Sequence, residues 1–155
     1  MRRIPCLLAA FSIAAVFSIL SLPTHGQGLK PGGIDIPKDN AMKIQYLEIV
    51  TMDVDAACAL YSQMHGVTFG ESDQNLGGAR TAKLASGGML GIRAPLRDTE
   101  KPVVRPYLLV DDIKASVAAA AESGAEIAMP PTEIAGHGQF AIVIHGGIES
   151  GLWQL

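Results

Sequence analysis

Cysteine is nearly absent from this chain, and so is any concentration of positive charge. Of 155 residues only Cys6 and Cys58 are cysteine, and Lys and Arg together number 12 against 15 Asp and Glu. No cysteine cluster, no phosphate-cradling glycine loop and no Ser-His-Asp spacing occurs. Without a basic stripe, nucleic acid and anionic membrane surfaces are poor partners. The length is that of one domain with a real hydrophobic core.

The apolar residues begin with a segment that belongs to targeting rather than to the fold. Residues 1–26 read as a secretory signal peptide. Arg2 and Arg3 give a basic start, an uncharged apolar run follows over 7–20, Pro23 ends it, and Thr24 and Gly26 supply small residues near a cleavage point. The run is shorter than the roughly 20 residues that span a bilayer, so no permanent membrane anchor is expected. The mature protein is expected to begin near Gln27 and to be exported, to a bacterial periplasm or beyond. Cleavage leaves 10 basic against 15 acidic residues, a net charge of −5. It also leaves Cys58 alone, so an intramolecular disulfide is excluded. Cys58 reads as a small helix residue rather than a reactive thiol.

Residues 27–41 are rich in Gly, Pro, Lys and Asp without an apolar period and read as an extended leader. The domain is expected over 42–155, as two modules at about 43–94 and 104–155. The first opens with a strand over 43–51. Asp53 then caps a helix carrying Val54, Ala57, Leu60, Tyr61 and Met64 at helical spacing, closed by Gly66. Short strands are predicted over 67–71, 79–85 and 88–93, with turns at Gly77-Gly78 and Ser86-Gly87. The second module repeats the order: a strand over 105–110, a helix capped at Asp111-Asp112 and stopped at Gly124, and strands over 126–129, 139–144 and 150–154. The turn before the last strand is His145-Gly146-Gly147. Asp53 follows Tyr46 by seven residues as Asp112 follows Arg105, and Leu90-Gly91-Ile92 answers Ser150-Gly151-Leu152. A doubled βαβββ unit outweighs local propensity. The fold class is therefore α+β, with two βαβββ modules curving mixed sheets around a cup and helices on the convex side.

With that plan the chain resembles the vicinal oxygen chelate superfamily, which includes glyoxalase I, extradiol dioxygenases and bleomycin-resistance proteins. The resemblance rests on Tyr46-Leu47-Glu48-Ile49 with Asp53, Ala57, Leu60-Tyr61 and Gly66. In the second module it rests on Pro106-Tyr107-Leu108-Leu109-Val110-Asp111-Asp112, on Pro130-Pro131-Thr132-Glu133-Ile134, on Gly138-Gln139-Phe140-Ala141 and on Gly151-Leu152-Trp153-Gln154. It implies four metal ligands from the first and last strands of the modules. Those positions map to Tyr46, Gly91, Arg105 and Gly151. Glycine offers no donor and arginine stays protonated, so neither a metal nor another cofactor is expected there. The resemblance also implies a homodimer, because such proteins often complete their cups between chains.

Strand alternation assigns the faces. Leu47, Ile49, Leu90, Ile92, Leu108, Val110 and Leu152 should pack beneath the helices. Tyr46, Glu48, Met89, Arg93, Arg105, Tyr107 and Trp153 should line the cup, a set suited to a small organic ligand, anionic or planar. The opposing expectation is that an arginine simply pairs with Glu48 and the cup is filled. Glu48 and Tyr46 are the candidate catalytic residues, Glu48 as a base whose pKa its arginine neighbours would depress. His65 reads as a helix-end residue, and His137 with His145 as a displaced metal pair or, more simply, as exposed loop residues. Three functions stay open: a metal-free binding protein; an enzyme of the superfamily (lyase, isomerase, hydrolase or dioxygenase, metal-independent or with a displaced metal); and an interaction domain with a closed cup.

Overall fold

A computed structural model describes residues 41–155. The expected signal peptide and all but the last residue of the expected leader lie outside this range. Among the described residues no helix is long and apolar enough to cross a membrane.

The chain runs β1 (Ile44–Val50), α1 (Val54–His65), β2 (Ser72–Asp73), β3 (Ala79–Lys83), β4 (Met89–Arg93), β5 (Val103–Leu109), α2 (Ile113–Glu122), β6 (Glu126–Ile134), β7 (Gly138–His145) and β8 (Ile148–Gln154). Each helix starts where an aspartate can serve it. Asp53 accepts from the Ala56 N–H at 2.9 Å and Asp112 from the Ala115 N–H at 3.0 Å, satisfying backbone donors that a helix start leaves open. Gly66 closes α1 with a left-handed φ of 66° and donates its N–H to the Ser62 carbonyl, a conformation glycine adopts without a Cβ penalty.

One eight-stranded, curved and unclosed sheet results, in the order β2-β3-β4-β1-β5-β8-β7-β6. Within each module the first strand lies parallel to the last, β1 on β4 and β5 on β8. The modules join at the centre, where β1 and β5 pair antiparallel with Tyr46 opposite Tyr107, Leu47 opposite Pro106 and Glu48 opposite Arg105. This pairing completes the cup within one chain.

The strand period sorts the side chains as expected. Beneath α1, Ile49, Cys58, Phe69, Ala82, Leu90 and Ile92 form one core, joined by Leu47, Val54, Ala57 and Tyr61. Across the sheet, Tyr46, Leu76, Ala79, Tyr107 and Trp153 form a second, with Met89, Ile134, Phe140 and Ile142 against it. In the second module Ile113 is buried at the start of α2, whose first N–H is held by the Gln154 side chain at 2.9 Å.

Two strands differ from the sequence reading. The stretch 67–71 is not a strand. Phe69 is buried under α1, and pairing begins only at Ser72, where β2 leads into a 3-10 turn, Gln74–Leu76. That turn is capped by Asp73 accepting from Asn75 and closed by a left-handed Gly77. The strand expected over 126–129 instead runs to Ile134, with register irregularities between Ile127 and Thr132 around Pro130-Pro131. Prolines remove two ladder donors, which is tolerated because β6 is an edge strand. Three smaller shifts place the end of β3 at Lys83, the start of β5 at Val103 and the start of β8 at Ile148.

Candidate ligand-binding cup

The concave face centres on four side chains carried by the β1–β5 pair: Tyr46 and Glu48 from one strand, Arg105 and Tyr107 from the other. Arg93 joins them from the end of β4. Glu48, Arg93 and Arg105 are 5%, 5% and 6% exposed, a concentration of buried charge that must be internally compensated. It is compensated by a continuous row, Glu100–Arg93–Glu48–Arg105–Glu149. Arg93 Nε donates to Glu48 Oε1 at 2.6 Å, and its two terminal nitrogens fork onto Glu100 at 2.9 and 2.7 Å. Arg105 donates through Nη1 to Glu48 Oε2, and through Nε at 2.8 Å and Nη2 to Glu149 Oε2. Tyr107 adds its hydroxyl to Glu48 Oε2 at 3.1 Å. Three carboxylates face two guanidinium groups.

Both oxygens of Glu48 are therefore engaged. Acting as a base would require it to give up an arginine or the tyrosine first. The same neighbours set the protonation of the tyrosines. Burial, then the Glu48 charge, pushes the hydroxyls of Tyr46 and Tyr107 well above the usual phenol range, so both stay protonated. Glu100 goes the other way. The hydrogen bonds from Arg93 hold its carboxyl at about 2.

Over this polar floor stands an aromatic wall. Tyr46 lies 5.5 Å from Tyr107 and 5.4 Å from Trp153 between ring centroids, Trp153 meets Tyr107 edge-on at 5.8 Å, and Phe140 follows at 6.2 Å. The Trp153 indole donates to the His137 carbonyl at 2.9 Å. The Tyr46 hydroxyl is buried without a hydrogen-bond partner. Between wall and floor is a cavity of about 330 Å³, lined also by Leu76, Leu96, Ile134, Ile142 and Glu100. The cup is not filled by its own side chains.

Six of the seven expected lining residues line this cavity: Tyr46, Glu48, Arg93, Arg105, Tyr107 and Trp153. Met89 does not. It packs against the aromatic cluster from beside and borders a shallow depression with Val67 and Thr81 instead. Sequence reasoning missed Glu100 and Glu149, and it missed Phe140 and Ile142, whose alternation with the buried Ala141 and Val143 along β7 would have revealed them.

The four positions mapped as metal ligands do not fit a metal. A Cβ at Gly91 would overlap the ring end and hydroxyl of Tyr46, and one at Gly151 would overlap the ring of Tyr107. The tyrosines thus occupy the space that ligand side chains on β4 and β8 would need, and the Arg105 guanidinium adds fixed positive charge beside them. His137 and His145 do not come together. His137 Nε2 pairs with Asp73 Oδ2 at 2.8 Å, an interaction that lowers the Asp73 pKa, while His145 is exposed at the end of β7. Among the described residues no three His, Cys, Asp or Glu side chains are grouped to hold a metal ion.

Comparisons with solved structures place this geometry in a known fold. A hypothetical protein from Bacillus halodurans C-125, BH1468, superposes with a TM-score of 0.59 at 14% identity, over 74% of this chain and 95% of that one. Methylmalonyl-CoA epimerase from Mycobacterium tuberculosis gives 0.54 at 19% identity, over 71% and 85%. A variant of the Streptomyces coelicolor epimerase in complex with 2-nitronate-propionyl-CoA gives 0.52 at 17%, over 72% and 95%. The fold is glyoxalase-like, that of the vicinal oxygen chelate proteins. No family model and no curated protein sequence matches the chain.

Proposed function

We propose that this protein is an exported, glyoxalase-like binding protein that takes a small organic ligand into its cup without the superfamily's metal. The observation that carries this reading is the cavity of about 330 Å³ with an aromatic wall and an internally paired charged floor. Its volume falls at the lower end of the roughly 300–1,000 Å³ typical of ligand pockets. Its lining combines large apolar and aromatic side chains with charged ones, of which the buried members pair with one another. The machinery for chemistry is less in evidence: Glu48 has no free oxygen and the mapped metal positions offer no donor set.

A second reading, an enzyme of the superfamily acting without a metal, draws on one observation. The Tyr46 hydroxyl is held protonated and has no partner, which suits a hydrogen-bond donor to a substrate oxygen once the ring shifts toward the cup. The epimerases among the structural neighbours keep this reading open.

Thermal unfolding in the presence of a panel of small aromatic and heteroaromatic compounds tests the binding reading. A ligand at a hundred times its Kd stabilises by about 2.7 kcal/mol, which for a domain of this size is a shift of several degrees in Tm. At least one compound is expected to give such a shift with the native protein and none with Ile142→Trp, which fills the cavity from β7. A panel without effect, or equal shifts in the variant, would contradict the reading.

A further inference from the structure

We propose that the ligand of the cup is an uncharged, planar, predominantly apolar molecule. This rests on the reading of the cup as a binding site and narrows it to one chemical class. Two arginines on the floor would ordinarily mark a receptor for an anion, since guanidinium forks match carboxylates and phosphates. Here both guanidinium groups already face carboxylates on two sides. The Arg93 donors go to Glu48 at 2.6 Å, to Glu100 at 2.7 and 2.9 Å and to the Ala94 carbonyl at 3.0 Å. Those of Arg105 go to Glu48 and Glu149.

Carboxylates outnumber guanidiniums in the row, so an anionic ligand would have to displace a bound carboxylate and then face the remainder. A cation fares no better. The oxygens of Glu48 are taken by Arg93, Arg105 and Tyr107, and those of Glu100 by Arg93 and the Leu96 N–H at 2.7 Å. Arg97 and Glu133, the other charged residues on the lining, are exposed, opposite in sign and open to water at the rim. A ligand charge would lose its hydration on entry and find the buried groups of the floor already paired, with only the solvent-screened Arg97 and Glu133 at the rim to answer it. An uncharged molecule avoids that cost. Flatness follows from the wall. Tyr46, Tyr107, Phe140 and Trp153 pack on one another at 5.4–6.2 Å and border the cavity as one continuous aromatic wall, a boundary that favours a flat molecule laid along it.

Isothermal titration of the full mature chain with naphthalene-2-carboxamide, naphthalene-2-carboxylate and naphthalen-2-ylmethylammonium at neutral pH separates the classes at constant size. The amide is expected to bind at least about tenfold tighter than either ion, a gap set by ion desolvation without a partner. Glu100→Gln frees the Arg93 fork and should raise the affinity of the carboxylate relative to the amide by about tenfold. Glu149→Gln should act in the same direction through Arg105, and circular dichroism reports whether each variant is folded. Either ion binding as tightly as the amide, or a carboxylate-to-amide ratio unmoved in the folded variants, overturns the charge class while the cup remains a binding site. If none of the three probes binds and no compound of the thermal panel shifts Tm, the binding reading itself fails with it.

Discussion

Gly91 and Gly151 are the residues on which the character of the cup turns. Each sits on the last strand of its module, facing the concave side, with a tyrosine ring laid over it. The two overlaps are not equivalent. A Cβ at Gly91 meets the far end of the Tyr46 ring, which can swing away at the cost of its packing against Trp153. At Gly151 it meets the Tyr107 ring close to its root, where only a new rotamer would relieve the clash. Overpacking in a core costs about 1–3 kcal/mol, so Gly91→Ala is expected near the lower end and Gly151→Ala at or above the upper. Denaturant unfolding of the two variants measures this, and combining Gly151→Ala with Tyr107→Ala should cost less than the sum of the two. An additive double variant would mean the ring does not lie on the glycine. The orientation of Tyr46, Glu48, Arg105 and Tyr107 was legible in the sequence, because a strand period of two leaves little choice once the apolar face is assigned. Their partners were not. Glu100 arrives from the connection between modules, where no period links sequence to direction, and Glu149 lies on β8 in step with Gly151 and Trp153 but ahead of the strand start read at 150.

At the scale of elements, the central strands were read to within two residues and those at the margins were not. β1, β4, β5 and β8 form the centre of the sheet and carry the alternation plainly. β2 and β6 are its two edges. There β2 is only two residues long and yields to a capped turn, while β6 continues through two prolines that would exclude a central strand. The connection over 94–102 has no regular structure, yet it supplies the carboxylate that locks Arg93. That lock has a pH signature. Glu100 binds its proton more weakly in the folded chain, at about 2, than in the unfolded one, at its ordinary 4.5. Its contribution is therefore complete above about pH 4.5 and is lost as the pH falls toward 2. Allowing for its partial exposure, the native protein should exceed Glu100→Gln by about 2 kcal/mol at pH 7. Urea unfolding from pH 7 down to pH 3 should show that gap narrowing over this window. A gap that stays constant or widens on acidification would refute the linkage.

For the whole molecule, the internal repeat was the most informative feature, since it announced two modules and so a shared concave face. What it could not reveal was which chain supplies the second half of the cup. The β1–β5 register answers this, with Glu48 meeting Arg105 and Tyr46 meeting Tyr107 across one antiparallel pair of the same chain. The charged floor and the aromatic wall of the cup are thus assembled from the two modules of one chain. Trp153 is the one tryptophan of the sequence and stands on the cavity wall, 1% exposed. Its emission consequently reports on the cup alone. Titration of the mature protein with naphthalene-2-carboxamide, excited at the red edge of the indole band and corrected for probe absorbance, is the most direct test of the cup as a ligand site. A saturable change in Trp153 emission is expected, with a stoichiometry of one per chain and loss of the response in Leu60→Trp/Trp153→Phe, where the reporter is moved to an exposed position of α1 away from the cavity. Saturable binding by calorimetry with Trp153 emission unaltered would place the ligand elsewhere and contradict the account.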